Sequence, residues 1–174
     1  VDYKPYLFHT KDFGKTWESL VTGAQVGESN FTLAVAQDPE ENKLLFLGTE
    51  NGLFVSIDAG KNWTKWTNDF PAGVPVMDLV IQPRESDLVI CTFGRALWVL
   101  DDIRPLRELA KSGEGALNAT VKLFTPPEAY LASLQQPNGP RFDADAIYNG
   151  QNRPFGARIS YVINKPADPK KEEK

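Results

Sequence analysis

Short apolar runs alternate with polar turn segments along the first hundred residues, and this pattern predicts antiparallel β-strands. A polar turn at residues 38–42 and a hairpin turn at residues 50–52 separate the first of these runs. The four strands predicted from this stretch are residues 31–37, 43–49, 53–57 and 63–67. They predict one complete four-stranded sheet.

The same alternation continues and predicts a third unit after this sheet. Its strands are residues 76–82, 87–92 and 96–100. The next segment, residues 105–111, has Pro at the first turn and Leu106 and Leu109 three positions apart, which predicts a short helix.

Two stretches of the chain, residues 7–17 and 53–63, are near copies of each other. Each has an apolar run followed by a hydroxyl residue, Asp, Gly and Trp at the same offsets, and the two Asp residues lie 46 positions apart, at 12 and 58. The shared residues are Thr10, Asp12, Gly14 and Trp17 in the first copy and Ser56, Asp58, Gly60 and Trp63 in the second. Repetition at this period indicates a β-propeller.

Each part of the repeated pattern has a mechanical role in a strand, tight turn and returning strand. The Asp side chains can accept hydrogen bonds from backbone N–H groups of their own turns, and the Gly residues can adopt a positive φ. The hydroxyls of Thr10 and Ser56 can add local hydrogen bonds. We expect Trp17 and Trp63 to bury their rings against a neighbouring sheet, about 150–250 Å² each.

The two copies resemble the Asp box, or BNR repeat, which reads Ser/Thr-x-Asp-x-Gly-x-Thr/Asn-Trp. Asp boxes recur in the propellers of sialidases, xyloglucanase-like glycoside hydrolases and sortilin receptors. In those families the box lies on the blade edge, away from the substrate site. The resemblance therefore implies a fold and leaves the activity open.

The third unit lacks the pattern, because residues 100–105 keep an acid at Asp102 but have neither the Gly nor the Trp. Residues 88–107 resemble the closing blade of bacterial sortilin-like propellers that are often labelled glycosyl hydrolases. Those proteins read Gly-Thr-His-Gly-Arg-Gly where this chain has Cys91 and Phe93 in place of the Gly and the His, with Gly94 and Arg95 matching. Residues 150–161 resemble the start of the β-sandwich module that follows the propeller in the same proteins, and residues 159–163 are predicted as its first strand. Between helix and module, residues 113–119 are predicted as a loop and residues 120–124 as a short strand.

These observations predict an all-β fold: a partial β-propeller of four-stranded antiparallel blades, then a short helix and the beginning of a β-sandwich module. The predicted divisions are residues 1–112 for the C-terminal propeller blades, 113–150 for an extended linker, and 151–174 for the start of the sandwich with a solvated tail. Because 174 residues are too few for four or more blades at this period, we expect the chain to be part of a larger protein.

Three residues are candidates for ligand binding. Arg95 follows Gly94 at a strand entry and could hold an anionic ligand, although a salt bridge is an equal alternative. Trp66 and Tyr148 could stack on a ligand, although core or partial burial is the favoured alternative, while Trp98 is expected in a core strand.

No residue is assigned a catalytic role. Asp12 and Asp58 belong to equivalent turns of neighbouring blades, so they are expected to stand too far apart for glycoside hydrolysis. Asp101 and Asp102 should diverge along their strand, and a helix cap is the better interpretation of this pair.

Composition excludes several other function classes. A single His, His9, and a single Cys, Cys91, make no zinc site or Cys/His dyad, and no Gly-rich phosphate loop is present, so no metal or cofactor is expected. A net charge of −4 with mixed signs predicts no nucleic-acid partner. No apolar run approaches the ~20 residues of a membrane span.

The expected function is a binding scaffold for a peptide, protein or polysaccharide, with the remaining propeller blades as further partners. One alternative is part of a xyloglucanase-like or sialidase-like glycoside hydrolase whose catalytic carboxylates lie outside this chain. Another is a structural subunit of an extracellular assembly. The family resemblance implies a secreted, periplasmic or cell-surface location.

Overall fold

The computed structural model describes residues 2–129 and 156–164. This part of the chain is mostly β, with several antiparallel sheets and few helices, so the all-β prediction is confirmed. The strands are β1 (Phe8–His9), β2 (Glu18–Ser19), β3 (Thr32–Gln37), β4 (Leu45–Thr49), β5 (Gly52–Ser56), β6 (Thr64–Lys65), β7 (Val76–Gln82), β8 (Asp87–Thr92), β9 (Leu97–Leu100), β10 (Val121–Leu123) and β11 (Tyr161–Ile163). The helices are α1 (Gly23–Val26), α2 (Arg104–Ser112) and a 3-10 helix over Glu114–Asn118.

The predicted four-stranded sheet is present, in the order β3-β4-β5-β6. We call it the second unit. The first unit is the β1–β2 hairpin with the following segment through α1, and the third unit is the β7-β8-β9 sheet plus α2. The strand β6 has two residues where five were predicted. The other strands of this sheet agree with the prediction to within two residues at each end.

The second and third units match strand by strand, although the third lacks the sequence motif. Ala36, Phe46 and Val55 stand opposite one another in the second unit. The equivalent row in the third unit is Val80, Val89 and Val99.

The first pair of strands in each of these two units also carries the same irregularity. The register shifts between Thr32 and Ala34 in the second unit and between Val76 and Asp78 in the third. A bulge locally increases strand twist. The structural repeat therefore continues beyond the point where the sequence repeat has disappeared.

The second unit is covered on both of its faces. One face packs against the third unit in a cluster that includes Phe46, Leu53, Leu79 and Ile90. The opposite face packs against the first unit through a cluster of Val21, Val26, Leu45, Leu47, Phe54 and Trp63. The units are thus stacked in chain order, face against face.

Helix α2 follows β9, at the place in the chain where β6 follows β5 in the second unit. Prediction put this helix at residues 105–111, and the structure extends it by one residue at each end. Ile103 and Ala110 are each 1% exposed and join the cluster between the second and third units. The backbone N–H of Ile103 donates to the carbonyl of Ser86 at 2.7 Å, which ties the helix start to the β7–β8 turn.

The two repeated Trp residues differ in burial. Trp63 is 8% exposed and its indole N–H donates to the carbonyl of Leu20 in the first unit at 2.8 Å. Trp17 is 61% exposed, and its indole N–H donates to Gly14 within its own turn at 3.1 Å. The expectation of a buried Trp17 is therefore wrong, because no segment of the described chain stacks on that side of the first unit.

Beyond α2, the segment 113–119 was expected to be a loop and instead contains the 3-10 helix. Strand β10 lies within the predicted strand at 120–124 and pairs antiparallel with β11, which lies within the strand predicted at 159–163. Strand β10 thus lies inside the segment predicted as a linker, and β11 lies inside the predicted sandwich segment. The division into propeller, linker and sandwich segments remains a prediction.

Candidate functional site

The two repeated turns have the same hydrogen-bond pattern. In the first turn motif (residues 10–17) the Thr10 hydroxyl accepts from the Gly14 N–H at 2.8 Å, and Asp12 Oδ1 accepts from the Thr16 N–H at 2.8 Å. The Thr16 hydroxyl also donates to Asp12 Oδ2 at 2.7 Å. Both carboxylate oxygens of Asp12 are therefore occupied within the turn.

The second turn motif (residues 56–63) repeats these contacts with different side chains. The Gly60 N–H donates to the Ser56 hydroxyl at 2.9 Å, and the Asn62 N–H donates to Asp58 Oδ1 at 2.9 Å. The Asn62 amide donates to Asp58 Oδ2 at 2.6 Å. Gly14 and Gly60 have φ values of 89° and 85°, as their turns require.

These contacts keep both Asp residues ionised. Hydrogen bonds from the Thr16 side chain and backbone lower the pKa of Asp12 below its ordinary value. Burial acts to raise the pKa of Asp58, but hydrogen bonds from the backbone and side chain of Asn62 outweigh it and lower the pKa overall. A general acid needs a raised pKa, and both of these carboxyl groups have a lowered one. The two Asp residues are therefore suited to stabilising their turns and unsuited to acid catalysis.

Arg95 lies in the β8–β9 turn, at the end of the strands opposite to the end where Asp102 replaces the motif Asp. Gly94 and Ala96 both have positive φ, 83° and 61°. The turn is closed by the Thr92 hydroxyl, which donates to the Ala96 carbonyl at 2.6 Å. The Trp98 indole N–H donates to the Arg95 carbonyl at 2.8 Å, and this hydrogen bond connects the Arg95 backbone to β9.

The side chains of this turn face solvent. Arg95 is exposed, and its guanidinium forms no ion pair within residues 2–129 and 156–164. Phe93 is 73% exposed, and its backbone N–H donates to the Pro75 carbonyl at 2.9 Å. The turn therefore presents an aromatic ring and a guanidinium group to solvent, and we call residues 93–96 the Phe93–Arg95 turn.

The structure describes one of the other two predicted binding residues. Trp66 follows β6 in the second unit, is half-buried against the core, and donates from its indole N–H to the Asn68 carbonyl at 3.0 Å. This environment favours the partial-burial alternative for Trp66. Tyr148 lies outside the described residues. Trp98, expected in the core, is half-buried with its ring edge on Phe70 at a centroid distance of 5.6 Å.

Asp101 and Asp102 have different partners, as their predicted divergence requires. Arg158 Nη1 lies 3.2 Å from Asp101 Oδ2. Asp102 Oδ1 accepts from the Arg104 guanidinium at 2.8 Å and from the Arg104 backbone N–H at 3.4 Å. Asp102 therefore contacts the first residue of α2, although the residue in the capping position is Ile103.

A buried ion pair between the second and third units was missed in the sequence. Arg107 of α2 and Asp38 of the β3–β4 turn are 4% and 2% exposed. Arg107 Nε donates to both carboxylate oxygens of Asp38 at 3.0 and 2.9 Å, and Nη1 donates to the Ser86 hydroxyl at 2.9 Å. Asp38 Oδ1 also accepts from the backbone N–H groups of Glu40 and Glu41, so its charge is well satisfied.

Two surface hollows adjoin these elements. One, of about 660 Å³, lies beside the buried Arg107 and is lined by acids and bases in similar number, so no single ligand charge is favoured. The other, of about 1030 Å³, lies between the first unit and the β3–β4 strands.

Within the described part of the chain, no three His, Cys, Asp or Glu residues are placed to hold a metal ion. The helices described there are too short or too polar to cross a membrane.

Comparison with known proteins finds a partial match to a xyloglucanase. The chain is 34% identical, over 71 residues, to xyloglucanase Xgh74A of Acetivibrio thermocellus, and two curated sequences of that name match equally. The match covers 37% of this chain and 8% of the xyloglucanase, so the chain spans a small part of the relative's length. No family model matches the chain. No solved structure matches it either.

Proposed function

We propose that this chain forms part of an Asp-box β-propeller that binds a polysaccharide of the xyloglucan class. The observation that carries the proposal is the 34% identity to a protein named as a xyloglucanase. That match favours a polysaccharide over the peptide and protein ligands that the sequence alone leaves open.

The propeller part of the proposal is supported by the stacking of the units. Successive antiparallel sheets pack face to face in chain order, and two of them share register and a bulge at the same position. Turns with the hydrogen bonds expected of an Asp box recur in the first and second units. Radial repetition of such sheets is the architecture of a propeller.

The Phe93–Arg95 turn is the proposed contact for the polysaccharide in this chain. An exposed aromatic ring can pack against the apolar face of a sugar ring, and a guanidinium can donate several hydrogen bonds to its hydroxyls. Both side chains stand on a turn fixed by the Thr92 and Trp98 hydrogen bonds, so little conformational entropy is lost on binding.

Catalysis by the whole protein is the second candidate, because the matching relative is named as an enzyme. Glycoside hydrolysis needs a carboxylic acid with a raised pKa beside a second carboxylate. The two motif Asp residues have lowered pKa values instead, so the catalytic acids are proposed to lie outside this chain. The location outside the cytoplasm also belongs to this proposal, because a long polysaccharide does not cross a membrane unaided.

The test is titration of the 174-residue chain with a xyloglucan oligosaccharide in a calorimeter, together with an assay for released reducing ends. We expect binding without hydrolysis. Phe93→Ala and Arg95→Ala should each weaken binding by roughly 5- to 30-fold, as expected for loss of about 1–2 kcal/mol of contact.

The matched control is Phe13→Ala, because Phe13 is fully exposed on the first turn motif at the opposite end of the strands. It should leave the affinity unchanged. Absence of oligosaccharide binding by the unsubstituted chain, or an equal loss from Phe13→Ala, would contradict the proposed function.

A further inference from the structure

The hairpin of the first unit corresponds to one half of the second unit. Its turn has the same hydrogen bonds as the second turn motif, so β1 corresponds to β5 and β2 to β6. In the second unit β5 pairs with β6 on one edge and with β4 on the other. Among the described residues β1 pairs with β2 alone, so its other edge is open.

The face of the second unit that lies opposite this open edge is also partly exposed, and we call it the wall. Val35 of β3 is 50% exposed, whereas Leu79 of β7, its equivalent in the third unit, is 7% exposed. Leu79 is buried because β3 and β4 pack over it. No described strand pair covers Val35 in the corresponding way.

The space between edge and wall is the hollow of about 1030 Å³, at the upper end of the ~300–1,000 Å³ usual for small-ligand pockets. Leu7 and Phe8 line one side, and Val35 and Leu45 line the other. We call this space the hairpin groove.

The rim of the groove is basic at one end. Lys43 and Lys61 are exposed there, and the Lys11 ammonium is already paired with Glu18 at 2.7 Å. In the second unit, the hairpin at the equivalent position is β3–β4, whose turn is acidic through Asp38, Glu40 and Glu41. That acidic turn pairs with Arg107 of the third unit. The molecule thus already contains one contact between an acidic hairpin turn and a basic side chain of the neighbouring unit.

We propose that the hairpin groove is a docking site for a β-hairpin of another polypeptide segment, with one apolar face and an acidic turn. One strand of that hairpin pairs antiparallel with the open edge of β1, and its apolar side chains cover Val35. Backbone hydrogen bonds to β1 supply affinity, while the apolar wall and the lysines select the segment. The inference rests on the repeat of the units and does not require polysaccharide binding.

The probe is a synthetic peptide of residues 31–49 of this chain, which forms the corresponding hairpin in the second unit. It is titrated into the 174-residue protein, with a scrambled peptide of the same composition as control. We expect saturable binding, and slowed amide hydrogen exchange at residues 7–9 and 35–37 when the peptide is bound.

Val35→Glu places a charge on the groove wall and should weaken peptide binding by at least about tenfold. Val80→Glu is the matched control, since Val80 is 56% exposed in the first strand of the third unit and faces away from the groove. It should bind the peptide as the parent does. Both positions are half-exposed, so both variants are expected to fold.

Three results would overturn the inference: no saturable binding of the peptide, equal binding by Val35→Glu, or a loss confined to Val80→Glu. The exchange measurement on the unsubstituted protein gives an independent answer if Val35→Glu fails to fold. Titration of the same variants with xyloglucan oligosaccharide separates this outcome from the proposed function, because Val35 lies away from the Phe93–Arg95 turn.

Discussion

At the scale of single residues, the carboxylates of Asp12 and Asp58 stabilise their turns as ions. Each carboxylate accepts hydrogen bonds at both oxygens from the residue four positions further along the chain. The pKa of both groups is lowered in the folded protein. Their stabilisation is therefore present at pH values above the unfolded pKa of about 3.8 and is lost as the pH falls through the folded pKa.

The substitution Asp58→Asn tests whether the ionised carboxylate stabilises its turn. At neutral pH we expect the variant to be less stable by roughly 1–2 kcal/mol, because the amide NH₂ group cannot accept from Asn62. The difference in melting temperature between the variant and the parent should shrink as the pH is lowered below the ordinary Asp pKa of 3.8. Asp69→Asn is the control, since the Asp69 carboxylate accepts no hydrogen bond from the described residues. A pH-independent difference for Asp58→Asn would contradict an ionic role.

At the scale of elements, the stacking of units decides the role of each repeated Trp. Trp63 packs with Val21 and Val26 of the first unit and donates across to Leu20. Trp17 has the same position in its own motif but contacts only its own turn through its indole N–H. Identical sequence patterns therefore produce a buried ring in one unit and an exposed ring in the other.

Trp63→Ala should lower the free energy of unfolding by about 3–5 kcal/mol, the range for deleting a buried aromatic side chain. Trp17→Ala should lower it by less than about 1 kcal/mol, because the ring is largely solvated. Guanidinium unfolding followed by circular dichroism measures both. Equal losses for the two variants would mean that Trp17 is covered in solution.

At the scale of the whole molecule, a buried ion pair joins two residues that are distant in sequence and lie in neighbouring units. Arg107 and Asp38 are 69 positions apart, and Ser86 adds a hydrogen bond from a third element. The pair holds α2 against both the β3–β4 turn and the β7–β8 turn. Its charges are shielded from water, so removing one member leaves the other without compensation.

Arg107→Leu should destabilise the protein by about 3–5 kcal/mol, because the Asp38 carboxylate would remain buried without its counter-charge. Glu40→Gln is the control: Glu40 also pairs with Arg107, at 3.0 Å, but its side chain is 57% exposed, and we expect a loss below about 1 kcal/mol. Thermal unfolding of both variants provides the comparison. A small loss for Arg107→Leu would show that α2 is held mainly by its apolar contacts.

The sequence predicted the strands and the turn chemistry because both depend on neighbouring residues. Alternation of apolar positions located seven strands of the second and third units, and the Asp, Gly and hydroxyl spacing anticipated hydrogen bonds within each turn. Leu106 and Leu109 together with Pro105 located α2 to within one residue at each end. All of these interactions join residues close together in the chain.

The exposure of the candidate binding residues was harder to predict, because exposure depends on what packs nearby. Arg95 is exposed on its turn, but Trp66 is half-buried and its indole is already bonded. Phe93 was seen only as a departure from a related pattern, and its exposure at 73% became evident from the structure. The sequence around Arg107 shows a cation beside a Leu pair, which gives no sign of a partner in a distant turn.

By itself, the sequence determined the β character of the chain, the repeat of its turns and the helix that follows the third unit, because local hydrogen bonding and the period of apolar residues are properties of short segments. Only the tertiary structure decided which Trp is buried, which acid pairs with Arg107, and which strand edge and sheet face have no cover from the described part of the chain. These features depend on how whole sheets stack, and the free energy of that stacking comes from contacts between residues far apart in the chain.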